Sequence, residues 1–163
     1  MPEITLFGWF HTVVGILALL TGLYALARFK VIQITQLAGR SYLILTVLAA
    51  ASALGIFKHG GFGVAHGLAV LTLLAVLVGG IAETTRLFGK LSRYLQAASY
   101  SATFLFHMIP AITDGLMRLP VDSPVVTNIE DPLLRGFYLA FLIIYVIGFG
   151  LQAKWLHRKS SRV

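Results

Sequence analysis

Residues 62–82 read FGVAHGLAVLTLLAVLVGGIA, an apolar run that carries one histidine and no Lys, Arg, Asp or Glu. Its length is close to the ~20 residues that a helix needs to cross the hydrocarbon core of a bilayer. The run therefore predicts a transmembrane helix.

The rest of the chain has the same character. Of its 163 residues, 58% are hydrophobic and 12% are charged, whereas about a quarter of residues are charged in a soluble domain. Four further apolar runs cover residues 4–27, 41–57, 95–116 and 133–155. The pattern predicts an all-α integral membrane protein, a bundle of five transmembrane helices in one domain over residues 1–163. Residues 41–57 are the shortest run, so four spans are the alternative.

Basic residues predict the orientation. Ten of the thirteen Lys and Arg residues fall on the side reached after the first helix, namely Arg28, Lys30, Arg40, Arg86, Lys90, Arg93, Lys154, Arg158, Lys159 and Arg162. An excess of basic residues in short loops marks the cytoplasmic face. We therefore expect the N-terminus outside and the C-terminus in the cytoplasm, in a bacterial inner membrane. Membrane topology explains this excess of basic residues, so the expected partner is the lipid bilayer and not nucleic acid.

Histidines are the main candidates for a functional site. Helix rise places His11, His66 and His107 roughly 6–14 Å below the outer face, on three different helices, and His59 at the outer surface. Ionisable side chains inside a span are costly enough to count as functional candidates. The chain has no cysteine, which excludes disulfides, iron–sulfur clusters and thiolate metal ligands.

Helical periodicity groups other residues around these histidines. Small residues share the His11 face of the first helix, at Gly8, Gly15, Ala18, Gly22 and Ala25; they favour either close helix packing or room for a flat cofactor. A polar seam on the fourth helix comprises Gln96, Tyr100, Thr103, His107 and Asp114, and Pro110 interrupts that helix. Tyr138, Tyr145 and Gln152 form a second polar edge on the fifth helix, which Asp131 is expected to cap.

We expect a haem b held by His11 and His107, with His66 as the competing ligand, in an electron-transfer or haem-handling protein. The alternative cofactor is a Zn or Cu ion on His11, His66, His107 and His59, which needs ring nitrogens about 2 Å from the metal. The competing functions are a histidine-lined metal-ion or proton pathway, and an accessory subunit that binds another membrane protein or redox partner. No phosphate loop or catalytic triad is recognisable, so an enzyme here would be a membrane oxidoreductase.

The run LAGRSYLILTVLAAASALGIF at residues 37–57, followed by FGVAHGLAVLTLLA at 62–75, resembles a bacterial family of small polytopic membrane proteins of unknown function. The family pattern is His-Arg-x-x-Gly-Arg-x-Tyr. Gly39, Arg40 and Tyr42 match it, whereas Thr35 and Gln36 stand where the pattern has His and Arg. The resemblance implies a polytopic fold and no established activity. A general likeness to small b-type membrane cytochromes rests on the buried histidines alone.

Overall fold

The structure is a computed structural model that describes residues 5–57, 61–85 and 87–160. Within these ranges the chain forms five α-helices and a short 3-10 helix, Gly89–Leu91. The helices are α1 (Leu6–Phe29), α2 (Leu37–Leu54), α3 (Val64–Thr85), α4 (Ser92–Arg118) and α5 (Pro132–Ser160). Each predicted apolar run coincides with one helix over most of its length, so the all-α prediction is confirmed for the described residues.

Four of these helices, α1, α2, α3 and α5, are long and apolar enough to cross a membrane. The shortest predicted run, residues 41–57, belongs to α2, which is long enough to be a candidate span because it begins at Leu37. The helix outside this group is α4, since the polar side chains of the seam lower its hydropathy. Large apolar side chains cover the outside of the bundle, as at Leu77 (57% exposed) and Ile144 (65% exposed). Such a surface indicates a membrane protein.

Consecutive helices pack side by side and antiparallel, and α1 also meets α4, which closes a ring of four. The fifth helix packs on α4 outside this ring. We call the end of the bundle where α1, α3 and α5 begin the His11 end, and the opposite end the Glu83 end.

The small face of α1 is a packing surface. Ala18, Gly22 and Ala25 are buried, as the periodicity predicted. A Cβ atom added to Gly22 would lie 2.6 Å from Cδ2 of Tyr42, so the tyrosine ring lies directly on the α1 backbone. Close approach of this kind is what small residues permit between membrane helices.

The loop between α1 and α2 is buried at its centre, and side chains of three other helices bond it. Val31 and Ile32 are almost fully buried, so the backbone polar groups of this loop need partners within the protein. Side chains supply them in three hydrogen bonds: the Gln152 amide of α5 donates to the Lys30 carbonyl (2.8 Å), the Gln96 amide of α4 donates to the Ile32 carbonyl, and the Glu83 carboxylate of α3 accepts from the Ile34 N–H (2.9 Å).

Polar residues of α5 also face the bundle as predicted. The Tyr138 hydroxyl bonds the Thr113 hydroxyl (2.6 Å), and the Tyr145 hydroxyl donates to the Ala98 carbonyl (3.2 Å). At the start of α5, the Asp131 carboxylate accepts from the Leu133 N–H at 2.8 Å, which confirms the predicted cap.

Candidate functional site

The polar seam of α4 lies in the interior of the bundle, and its Thr103 and His107 face α2. Gln96, Tyr100 and Thr103 are buried, as predicted. The Thr103 hydroxyl donates to the Tyr100 carbonyl one turn earlier (2.7 Å) and contacts the Tyr42 hydroxyl of α2, also at 2.7 Å. A hydroxyl has one proton to donate, so Tyr42 is the donor and Thr103 the acceptor in this pair.

One turn further towards the His11 end, α2 contributes a threonine. Thr46 is fully buried, and its hydroxyl bonds Nε2 of His107 at 3.0 Å. Thr46 also lies near the Tyr42 hydroxyl, on the same face of α2. Either Thr46 or His107 can be the donor in their hydrogen bond.

His11 bonds the last turns of α2. Its Nδ1 lies 3.1 Å from the Ala49 carbonyl and 3.0 Å from the Ser52 hydroxyl, and Ser52 itself donates to the Ala49 carbonyl (2.9 Å). Since a carbonyl only accepts, the network assigns the proton to Nδ1 of His11.

His11 and His107 lie within range of direct electrostatic interaction. The hydrogen bond to the Ala49 carbonyl selects the Nδ1–H tautomer of His11, whereas Nε2 of His107 can donate to Thr46 or accept from it. We call these two residues the histidine pair; they are the two whose similar depth predicted that they would lie together.

His66 has different surroundings. Its ring lies between those of Phe57 and Phe62, with centroids 4.8 and 5.0 Å away. Nδ1 accepts from the Gly63 N–H at 3.1 Å, which places the proton on Nε2, a buried atom with no hydrogen-bond partner among the described residues. An imidazole between two phenyl rings at a helix start is a packed aromatic group.

The remaining predicted site residues lie elsewhere. Asp114 is about half exposed and forms an ion pair with Arg118 (3.9 Å), so it lies at the rim of the bundle and outside the buried seam. His59 falls outside the residues that the structure describes. Over ranges 5–57, 61–85 and 87–160, no three His, Asp or Glu side chains come together as a group that could hold a metal ion.

At the Glu83 end of the bundle interior, a carboxylate lies close to a tyrosine hydroxyl. The Glu83 carboxylate and the Tyr100 hydroxyl interact with each other, although Oε2 of Glu83 and the Tyr100 hydroxyl oxygen form no well-aligned hydrogen bond. The Tyr100 ring lies against Gly79 of α3. Polar groups therefore occur along most of the bundle interior.

Sequence reasoning missed the contribution of α2. Tyr42, Thr46, Ala49 and Ser52 are spaced by four, three and three residues, so they share one helical face. Three of the four carry a hydroxyl, and this periodicity is a readable signal within an otherwise apolar run.

Comparison of the chain with known protein families, curated proteins and solved structures finds no match.

Proposed function

We propose that this chain is a membrane proton-exchange protein in which the histidine pair, His11 and His107, forms the proton-binding site. The proposal is supported by the buried run from His107 through Thr46 and Tyr42 to Thr103. Every side chain in this run can both accept and donate a proton. Ionisable groups paired inside a membrane are typical of proton relays. Hydrogen bonds that only hold helices together do not need to form a continuous run of side chains.

Proton transfer would begin on one of the two histidines. In the Nε2–H tautomer of His107, a proton taken up on Nδ1 would release the Nε2–H to Thr46. The step from Thr46 to Tyr42 requires these two neighbouring hydroxyls to align, and Tyr42 then passes a proton to Thr103.

The run ends at a backbone group. Thr103 donates to the Tyr100 carbonyl, and a carbonyl accepts a hydrogen bond without having a proton to pass on. The next groups towards the Glu83 end that can exchange protons are the Tyr100 hydroxyl and the Glu83 carboxylate. Passage past this point requires the Thr103 hydroxyl to turn away from the carbonyl, so Thr103 is the control point of the proposed path.

The test is proton flux in liposomes that contain the purified chain and a pH-sensitive dye, with a potassium diffusion potential as the driving force. We expect wild-type flux above that of protein-free liposomes. Thr103→Val and His107→Ala should both reduce it to the protein-free level, because neither replacement side chain can pass a proton.

Thr113→Val is the matched control. It makes the same change on the same helix, but the Thr113 hydroxyl bonds Tyr138 on the α5 side of α4. Its flux should equal that of the wild type. Wild-type flux no greater than that of empty liposomes, or undiminished flux in Thr103→Val, would refute the proposal; size-exclusion profiles and helical circular dichroism identify any variant that failed to fold.

The proposal includes an orientation and a location. The asymmetry of basic residues supports an N-terminus outside, a C-terminus in the cytoplasm and a bacterial inner membrane. The His11 end would then face the outside, where protons enter the path, and the Glu83 end would face the cytoplasm.

A second candidate is a haem b between the same two histidines, in an electron-transfer or haem-handling protein. One observation favours it: the Nδ1–H of His11 donates to a backbone carbonyl, as the second nitrogen of a ligating histidine usually does. His107 fits less well, because its Nε2 bonds Thr46 and would have to leave that partner to ligate in the same way. A Soret band that His11→Ala and His107→Ala both abolish would support haem, and metal analysis of the same sample tests for Zn or Cu.

A further inference from the structure

An apolar groove lies on the lipid-facing side of the bundle, between α1 and α5, with α4 as its floor. Its volume is about 590 Å³, within the range of small-molecule sites. Leu23, Phe104 and Ile144 are among its lining side chains. It forms because α5 packs on α4 outside the ring of four helices, which leaves the space between α5 and α1 open.

The groove extends over about half of the membrane thickness. On α5 its lining runs from Phe141 to Trp155, which is about 21 Å at 1.5 Å per residue. One leaflet with its headgroup region is about 20–22 Å thick, half of the ~40–45 Å total. One phospholipid of a single leaflet matches this length, whereas a second transmembrane helix would need a groove along the whole bundle.

Polar side chains along the groove direct their polar atoms into the protein. The Ser101 hydroxyl bonds the Gln152 carbonyl oxygen (2.9 Å), the Gln152 amide donates to the Lys30 carbonyl, and the Tyr145 hydroxyl donates to the Ala98 carbonyl. The surface left for an occupant is therefore hydrocarbon. No hydrogen-bonding occupant is needed to satisfy these groups.

The rim at the Glu83 end is cationic. The exposed Lys30 side chain donates to the Ala27 carbonyl at 3.0 Å, which holds its ammonium at the groove mouth with two further N–H donors. Trp155 lines the same mouth, and the Lys159 ammonium lies 5.2 Å from its ring centroid. Among the residues described at this end, the one acidic side chain is Glu83, which is bonded to the α1–α2 loop.

From this combination we infer that the groove binds one anionic phospholipid, with an acyl chain along α4 and its phosphate at Lys30, beside Trp155. Basic residues close to a membrane surface attract anionic lipids, and Trp is enriched at the level of the headgroups. This inference uses no residue of the histidine pair and does not depend on the proposed function.

The experiment is native mass spectrometry of the full chain in detergent, with palmitoyl-oleoyl phosphatidylglycerol and the zwitterionic phosphatidylcholine of the same chains added in equal amounts. We expect phosphatidylglycerol to be retained in preference. Lys30→Gln should reduce that preference about fivefold, the weight of one basic residue at an anionic surface. Lys90→Gln, at an exposed position on the same end, should leave it unchanged.

Gly148→Phe tests the acyl-chain part of the site. Gly148 lines the groove, and a Cβ added there meets no atom within 4 Å, so the new ring fills the groove without disturbing the bundle. We expect both lipids to be lost. Gly136→Phe on the same helix, where a Cβ also meets open space, should retain both.

Equal retention of the two lipids, equal behaviour of Lys30→Gln and Lys90→Gln, or lipid retention in Gly148→Phe would each overturn the inference. A wild-type dimer that Gly148→Phe converts to a monomer would overturn it as well, because a second copy would then be the occupant of the groove.

Discussion

Gly22 of α1 is the most informative single position for stability, because its substitution affects the packing of α1 and the hydroxyl run together. In Gly22→Ala the new Cβ would lie 2.6 and 2.7 Å from two ring carbons of Tyr42. Favourable contacts between carbon atoms are at about 3.5–4.0 Å, so this one is about 1 Å too short. The Tyr42 ring is fully buried, so it can move only by displacing the side chains packed around it.

Gly15→Ala is the matched control, since it lies on the same helix and its Cβ would meet no atom within 4 Å. Replacing glycine by alanine within a helix gains about 1 kcal/mol from backbone propensity, and this gain is common to the two variants. Their difference isolates the overpacking, which costs about 1–3 kcal/mol. We therefore expect Gly22→Ala to have the lower free energy of unfolding by that amount.

The assay is unfolding of the purified chain by sodium dodecyl sulfate in mixed micelles, followed by far-ultraviolet circular dichroism. Gly22→Ala should also lose proton flux, because a displaced Tyr42 leaves its hydrogen-bonding distance from Thr103. Equal stability of the two variants, within about 0.5 kcal/mol, would show that Tyr42 does not pack on α1 as described.

Three further measurements test the interior and the ends of the bundle. Gln96→Leu should lower the free energy of unfolding by about 1–3 kcal/mol in the same assay, because the buried Ile32 carbonyl loses its donor; wild-type stability would show that this carbonyl has another partner. His66→Phe should keep wild-type proton flux and fold normally, since the new ring fits between Phe57 and Phe62, and a loss of flux would place His66 on the path. A reporter fused after Val163 should be active only as a cytoplasmic domain, and one inserted within residues 120–130 only outside; the reverse pattern would invert the proposed orientation.

The helices could be predicted from the sequence because apolar runs near 20 residues have few structural alternatives. The inward faces of α1, α4 and α5 also followed from periodicity, at Ala18, Thr103 and Gln152, for example. Contacts between helices were harder to predict. Periodicity states which residues share a face but not which neighbour that face meets, so the pairing of His107 with Thr46 could not be derived.

The position of His66 around its helix could not be predicted either. Its depth placed it beside the other histidines, but depth along a helix leaves the direction around the helix open. The ring packs between two phenylalanines that the turn after α2 and the start of α3 supply. Asp114 shares a helical face with Thr103, yet it extends past the buried part of that face to Arg118.

The three hydrogen bonds to the α1–α2 loop have a consequence for biogenesis. A nascent chain enters the membrane from its N-terminus, so this loop is made before all three of its partners. Glu83 becomes available with α3, Gln96 with α4 and Gln152 only with α5, and they reach Ile34, Ile32 and Lys30 in turn. Each newly synthesised helix therefore adds one hydrogen bond to the loop, at a residue nearer to α1 than the one before. A product truncated before α5 would lack the donor to the Lys30 carbonyl, so the loop is held by all three hydrogen bonds only once α5 has packed on α4.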